Sequence, residues 1–193
     1  MPLRKIAQIG HPVLREKARA LTREELLAPA TQQLIDDMIA TMRDAQGAGL
    51  AAIQVYETVR IAVVEVGQNA RYPYKPPIPL TILVNPELNP VAGEGELFDN
   101  YEGCLSVPDL RGLVPRQTVL RCRSWDRHGN PVDRVVKGLE ACTYQHEIDH
   151  LDGTLFVDRV VDRQSFSTWK DWERFHREPF VARVKELVAK YGS

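Results

Sequence analysis

Apolar residues recur at helical spacing across residues 29–44, where Leu34, Ile35, Met38, Ile39 and Met42 fall on one face. That spacing predicts an amphipathic helix. The stretch QGAGLAAIQ ends it, because Gly47 and Gly49 stop a helix and let the backbone bend or approach something closely. The pattern then turns strand-like. VRIAVVEV (59–66) is a β-branched run that predicts a buried strand. TILVNPEL (81–88) predicts a second, with Pro86 placing its end near an edge or bulge. Between them RYPYKPPIP (71–79) reads as an exposed, proline-rich loop. QTVLRCRSWD and PVDRVVKG flank RHGN, the pattern of a hairpin. A helix follows over 140–151, closed by Gly153. A last helix over 179–191 carries Phe180, Val184, Leu187, Val188 and Tyr191 as its apolar stripe, with Pro179 in its first turn. Strands cluster in the middle and helices flank them, which predicts an α+β fold. The proline-rich stretch is no domain boundary, because the segments beside it are too short to fold separately. We therefore expect a single catalytic domain over 1–193, with 163–193 as its C-terminal helical extension.

Composition narrows the function. The 193 residues are 44% apolar and 26% charged, as in a soluble globular chain. Lys plus Arg is 25 against 26 Asp plus Glu, a net charge of −1, which argues against nucleic acid or an anionic membrane as the main partner. No apolar run is long enough to span a bilayer. The start, MPLRKIAQIGHPVLRE, lacks the apolar core of a signal peptide. A bacterial cytoplasmic address is the expectation, with an organelle left open. The three cysteines match no disulfide framework. Cys122 and Cys142 lie among strand-like and helical residues and read as core thiols. Cys104, in EGCLSVP, sits where packing has no evident need of sulfur.

The 140–151 helix contains QHEIDHLDG. Positions i and i+4 share a helix face, so His146 and His150 can hold one ion together. Glu147 then projects beside the ion, where it can take a proton from water. Only five histidines occur in the chain and two of them fall at this spacing, which argues against a chance pair on a surface helix. A catalytic centre usually needs a third protein ligand and one open position. A metzincin would place a histidine three residues after Gly153, where this chain has Phe156. A thermolysin-like enzyme takes a carboxylate from a later helix, and Asp171 or Glu173 lies at a suitable distance. Both belong to TWKDWERFHRE, which reads as a charged surface segment. Cys104 is the better ligand: a thiolate is a strong soft donor, and its glycine-flanked loop lets the sulfur approach.

Three stretches in order, GAGLAAIQ (47–54), EGCLS (102–106) and QHEIDHLDG (145–153), resemble the three signature motifs of peptide deformylases. The opening IGHPVLREKA is also similar to that family's start. The resemblance implies antiparallel or mixed sheets around a central HExxH helix, with one further helix towards each terminus. It implies a divalent metal held by Cys104, His146 and His150, iron(II) as the physiological ion, and zinc, nickel or cobalt as substitutes. It assigns Glu147 as general acid and base, and places the Gln54 amide and the Leu105 N–H at the oxyanion. The implied reaction removes the formyl group from N-formylmethionyl peptides and releases formate. Ala48 departs from the Ile or Val of many members, which alters the rim of the cleft.

Neighbouring residues follow from this frame. Gly49 and Gly103 can expose backbone to a peptide added as a strand, and simple turn geometry explains them equally well. Glu102 and Arg111 can brace the Cys104 loop, and Arg111 can also meet substrate. Residues 107–114 and the motif helix are expected to line an apolar pocket for methionine. Two other functions compete: an HExxH zinc endopeptidase, and a structural metal in an interaction module. The second fits poorly, since closed structural sites usually have four protein ligands. Residues 163–193 carry seven Lys/Arg against four Asp/Glu, a surplus compatible with a transient ribosome contact or simply with a solvated helix.

Overall fold

The computed structural model describes residues 2–67 and 73–193. Helix α1 (Arg23–Leu27) starts on a capping box in which Thr22 accepts from Glu25 N and Glu25 reaches back to Thr22 N. Helix α2 (Pro29–Asp44) has the predicted bounds. Strands β1 (Gly49–Ala51), β2 (Ile61–Val66) and β3 (Ile78–Pro90) follow, then β4 (Leu97–Cys104), β5 (Val107–Gln117), β6 (Val119–Trp125) and β7 (Pro131–Lys137). Helix α3 (Gly138–Leu151) carries the histidines. The single turns α4 (Phe156–Arg159) and α5 (Trp169–Asp171) flank the short strand β8 (Ser167–Thr168), and α6 (Arg177–Tyr191) comes last.

Two antiparallel sheets result, one ordered β1-β2-β3-β6-β7 and the other β4-β5-β8. Strand β2 explains its own sequence. Ile61 and Val63 pack with Leu34, Ile35 and Met38 of α2. Ala62 and Val64 pack with Ala141 and Tyr144 of α3. A strand covered on both faces reads as a continuous apolar run. The β6–β7 turn is built as predicted: Asp126 Oδ1 accepts from His128 N and Asn130 N, and Gly129 supplies the positive φ.

Helix α3 therefore lies between the two sheets, gripped at both ends. At its start Leu139 N donates to Ser193 O at 3.1 Å. At its end Gly153 adopts φ 73°, and a Cβ there would stand 2.7 Å from Arg15 O. One flank packs against α6: Leu139 and Cys142 meet Phe180, Val184 and Leu187, with Phe98 and Tyr101 of β4 alongside.

Two expectations change in part. Strand β3, by contrast, bears out the bulge expected near Pro86. Its pairing with β6 slips between Val84 and Glu87, so the missing proline N–H falls at a break in the ladder. The segment TWKDWERFHRE is largely exposed, as expected, but it anchors through one buried ring, that of Trp172, which is only 1% exposed. Its indole meets Tyr74, Tyr101 and Phe180. The proline-rich stretch is only partly an exposed loop. Arg71 and Tyr72 lie outside the described residues, while Tyr74 turns inward to pack edge-on against Phe180. Both corrections have one cause: aromatic rings spaced among charges show no helical or strand period, yet together they close a core.

Phe180→Ala should cost about 3–5 kcal/mol, the usual range for deleting a buried ring. A urea-unfolding midpoint equal to that of the unaltered chain would show that α6 does not hold α3 in place.

Candidate metal centre

The ligand atoms come from two elements. Strands β4 and β5 pair regularly from Leu97↔Gln117 to Gly103↔Arg111, then slip so that Cys104 faces Val107. That irregularity lies beside Cys104, and breaks of this kind re-aim side chains. The sulfur ends 3.2 Å from His150 Nε2. Among the described residues, Cys104, His146 and His150 offer ligand atoms all within 4.8 Å of one another. Such a group can share one ion with bonds of about 2.0–2.3 Å. No second grouping of this kind occurs among the described residues. Asp171 is occupied elsewhere, its backbone N–H and carboxylate both bonded to the Thr168 hydroxyl at the start of α5. Phe156, where a metzincin would have histidine, lies stacked on the His146 ring at 6.4 Å.

Buried charges hold the ligands. His146 Nδ1 meets Glu102 Oε2 at 2.9 Å, which directs Nε2 to the site, the carboxylate–histidine arrangement common around metals. Glu102 is gripped by the Arg116 fork at 2.7 and 2.9 Å. Arg116 also reaches Asp149 at 2.6 Å, and Arg159 bonds the same carboxylate. Burial alone would raise the Glu102 carboxyl; Arg116 and His146 outweigh it and hold it well below the usual range. Burial would likewise raise the Cys104 thiol, but the two imidazoles hold it well below. Cys122 and Cys142 lack such neighbours, and burial pushes them up to about 11 and about 12. Only Cys104 is therefore primed as a thiolate, and the other two are core thiols as expected.

Glu147 lies beside the cluster. Burial raises its carboxyl, and Oε2 meets no hydrogen-bond partner among the described residues. Gly49 makes the close approach its position suggested: a Cβ on it would stand 2.3 Å from Glu147 Oε1. A Cβ on Gly103 would meet only ordinary contacts, the nearest at 3.5 Å. Gln54 is 2% exposed and oriented by Ala51 N, which donates to Oε1 at 2.8 Å. Its amide nitrogen donates to Ser106 Oγ at 3.1 Å and lies 3.6 Å from the Cys104 sulfur. Ser106 N donates to the same sulfur at 3.3 Å.

A cavity opens off the cluster, and Ala48, Gly49, Gly103, Leu105 and Glu147 line it. Arg111 lines it too, though its guanidinium is buried 3.9 Å over the Trp172 ring and 4.5 Å over Trp169. The expected apolar wall over 107–114 is not there. Of that stretch only Arg111 reaches the cavity, because Val107 and Val114 face the core. Polar Asn100, Thr143 and Lys75 take part instead. Arg116, Asp149 and Lys75 were missed from sequence. Asp149 lies inside the histidine motif, one turn from His146, and that was the one available signal.

A family model described as polypeptide deformylase matches residues 3–166. A protein named Peptide deformylase 2 from Nostoc sp. is 40% identical over 168 residues, covering 87% of this chain and 92% of that one. A class I type b peptide deformylase from Acinetobacter baumannii, solved with Met-Ala-Ser bound, superposes with a TM-score of 0.77 at 38% identity, covering 82% of this chain and 99% of that one. A peptide deformylase from Synechococcus elongatus in complex with actinonin gives 0.74 at 31% identity, covering 100% of this chain and 87% of that one.

The buried carboxylate sets a pH dependence. A depressed carboxyl contributes stability above its unfolded pKa, about 4.3, and loses it as pH falls towards the folded value. In the metal-free protein Glu102→Gln should cost roughly 3 kcal/mol at pH 7, and the gap should narrow below about pH 4. A gap of constant size from pH 7 to pH 3, followed by urea unfolding, would contradict this.

Proposed function

This chain belongs to the peptide deformylase family, and from that membership we propose that it hydrolyses the formyl group from N-formylmethionyl peptides with the aid of one divalent ion. The observation that carries the reading is the convergence of Cys104, His146 and His150 with Glu147 beside them, at a cavity mouth. A structural site would have no need of that buried, unpartnered carboxylate oxygen. A divalent ion bound by the three ligands supplies Lewis acidity, lowering the pKa of water from about 16 towards 7 and polarising a carbonyl oxygen.

The chain's own residues do the rest. Glu147 takes the proton from the attacking water and delivers it to the departing amine nitrogen. The carbon–nitrogen bond breaks, and formate and a free amine leave. The Gln54 amide carries two N–H groups. Ala51 fixes its orientation, and Ser106 engages the amide nitrogen. Together with the Leu105 N–H it would meet the developing oxyanion, each such donor being worth about 3 kcal/mol in the barrier. The Glu102–Arg116–Asp149 network fixes the His146 ring throughout. Gly103 leaves room for a peptide backbone laid along β4, and Arg111 offers a fixed cation near its path.

We assign iron(II) as the native ion, with zinc, nickel or cobalt able to replace it, and treat the whole chain as one catalytic domain. No described helix is long and apolar enough to cross a membrane, and we place the protein in a bacterial cytoplasm. Two of the seven cations of 163–193 bond inside the chain: Lys190 pairs with Glu96, and Arg183 donates to Asp99 O. No ribosome contact is proposed.

Anaerobically metallated protein should release formate from a formyl-methionyl peptide, and Glu147→Ala should slow this by about 10²–10⁴-fold. Equal rates would remove Glu147 from the reaction. Cys104→Ala should lose the ion on dialysis, and full retention would favour the endopeptidase reading. Iron-loaded protein should lose activity in air while nickel-loaded protein keeps it. Equal lifetimes would defeat the iron assignment.

A further inference from the structure

The cavity beside the metal ligands is small, about 50 Å³, with room for a few water molecules. One of its walls comes from outside the signature motifs. Lys75 lies in the connection between β2 and β3, half-buried, and its Nζ stands 3.4 Å from Thr143 Oγ1. Thr143 is on α3, one turn before His146. The preceding Tyr74 packs on Phe180 at 5.7 Å and on Trp172 at 6.3 Å, which fixes the connection to the C-terminal segment and aims Lys75 inward. Asn100, Glu102, Arg111, Thr143, His146 and Glu147 line the same cavity.

A peptide whose formyl carbon sits between the ligand cluster and Glu147 must place its first side chain in the space that remains. His146, Thr143 and Lys75 are among the residues that line that space. Whatever enters meets the ammonium. The ammonium has three N–H groups and already bonds Thr143 Oγ1; an oxygen acceptor on an entering side chain can take a further charge-assisted bond from it, and a hydrocarbon can take none. Resting on the deformylase reading, we propose that Lys75 is a specificity-determining residue, one that lets this cavity take first side chains ending in an oxygen acceptor. Glutamine and methionine sulfoxide have this chemistry at close to methionine's length. Sites built to bond a polar group discriminate by far larger factors than sites that only exclude a methylene, so the effect is measurable.

The test uses metal-loaded full-length protein and four peptides identical except at the formylated residue, which is methionine, norleucine, glutamine or methionine sulfoxide. Formate release gives kcat/KM for each. The unaltered protein should handle the glutamine peptide within about tenfold of the norleucine peptide, and Lys75→Met should move that ratio at least about tenfold towards norleucine. A ratio unmoved in Lys75→Met would overturn the assignment. So would an unaltered protein that already favours norleucine by more than about tenfold, a comparison that stands even if the variant fails to fold. Formate from none of the four would bring down the deformylase reading and this assignment together, whereas formate with an unmoved ratio brings down this assignment alone.

Discussion

Cys104 Sγ and His150 Nε2 stand 3.2 Å apart although 46 positions separate them in the chain. Everything else in the fold serves that approach. The sulfur belongs to a hairpin of one sheet, and the imidazoles belong to a helix covered by the other. Neither element can drift without separating the ligands. The slip between β4 and β5 turns the sulfur inward, and β2 and α6 hold the helix from its remaining sides.

Polar groups set the chemistry that the geometry permits. Three carboxylates lie close together in and around the centre, and their surroundings divide their roles. Glu102 and Asp149 are clamped by arginines, and Glu102, held well below the usual carboxylate range by Arg116 and His146, fixes the His146 ring. Among the described residues Glu147 has no such clamp, and burial raises its carboxyl above the ordinary glutamate value. The three cysteines divide in the same way. Imidazoles draw Cys104 down, while apolar burial keeps Cys122 and Cys142 protonated. One local environment thus favours the thiolate of one sulfur, and another makes packing atoms of two.

Much of this was legible from sequence. The helix over 29–44 carries five apolar residues at one spacing, and no tertiary contact needed to be known. The i, i+4 histidines put themselves on one face, and the three motifs in order pointed to Cys104, which the fold brings beside them. The rest depended on long-range contacts that have no local signature. Helix α1 has a readable T-x-x-E cap but only five residues, too short to show a period. Arg111 and Arg116 look alike in sequence, and only the fold shows that one stacks on two indoles while the other clamps two carboxylates. Tyr74 and Lys75 lie in a proline-rich loop, and only the docked C-terminal segment turns them inward.

The coordination of the bound ion tests the account most directly. X-ray absorption at the metal edge of the loaded protein should show one sulfur at about 2.3 Å and two imidazole nitrogens at about 2.0–2.1 Å, with the remaining position taken by a light atom. A first shell of nitrogen and oxygen alone, with no sulfur, would contradict it.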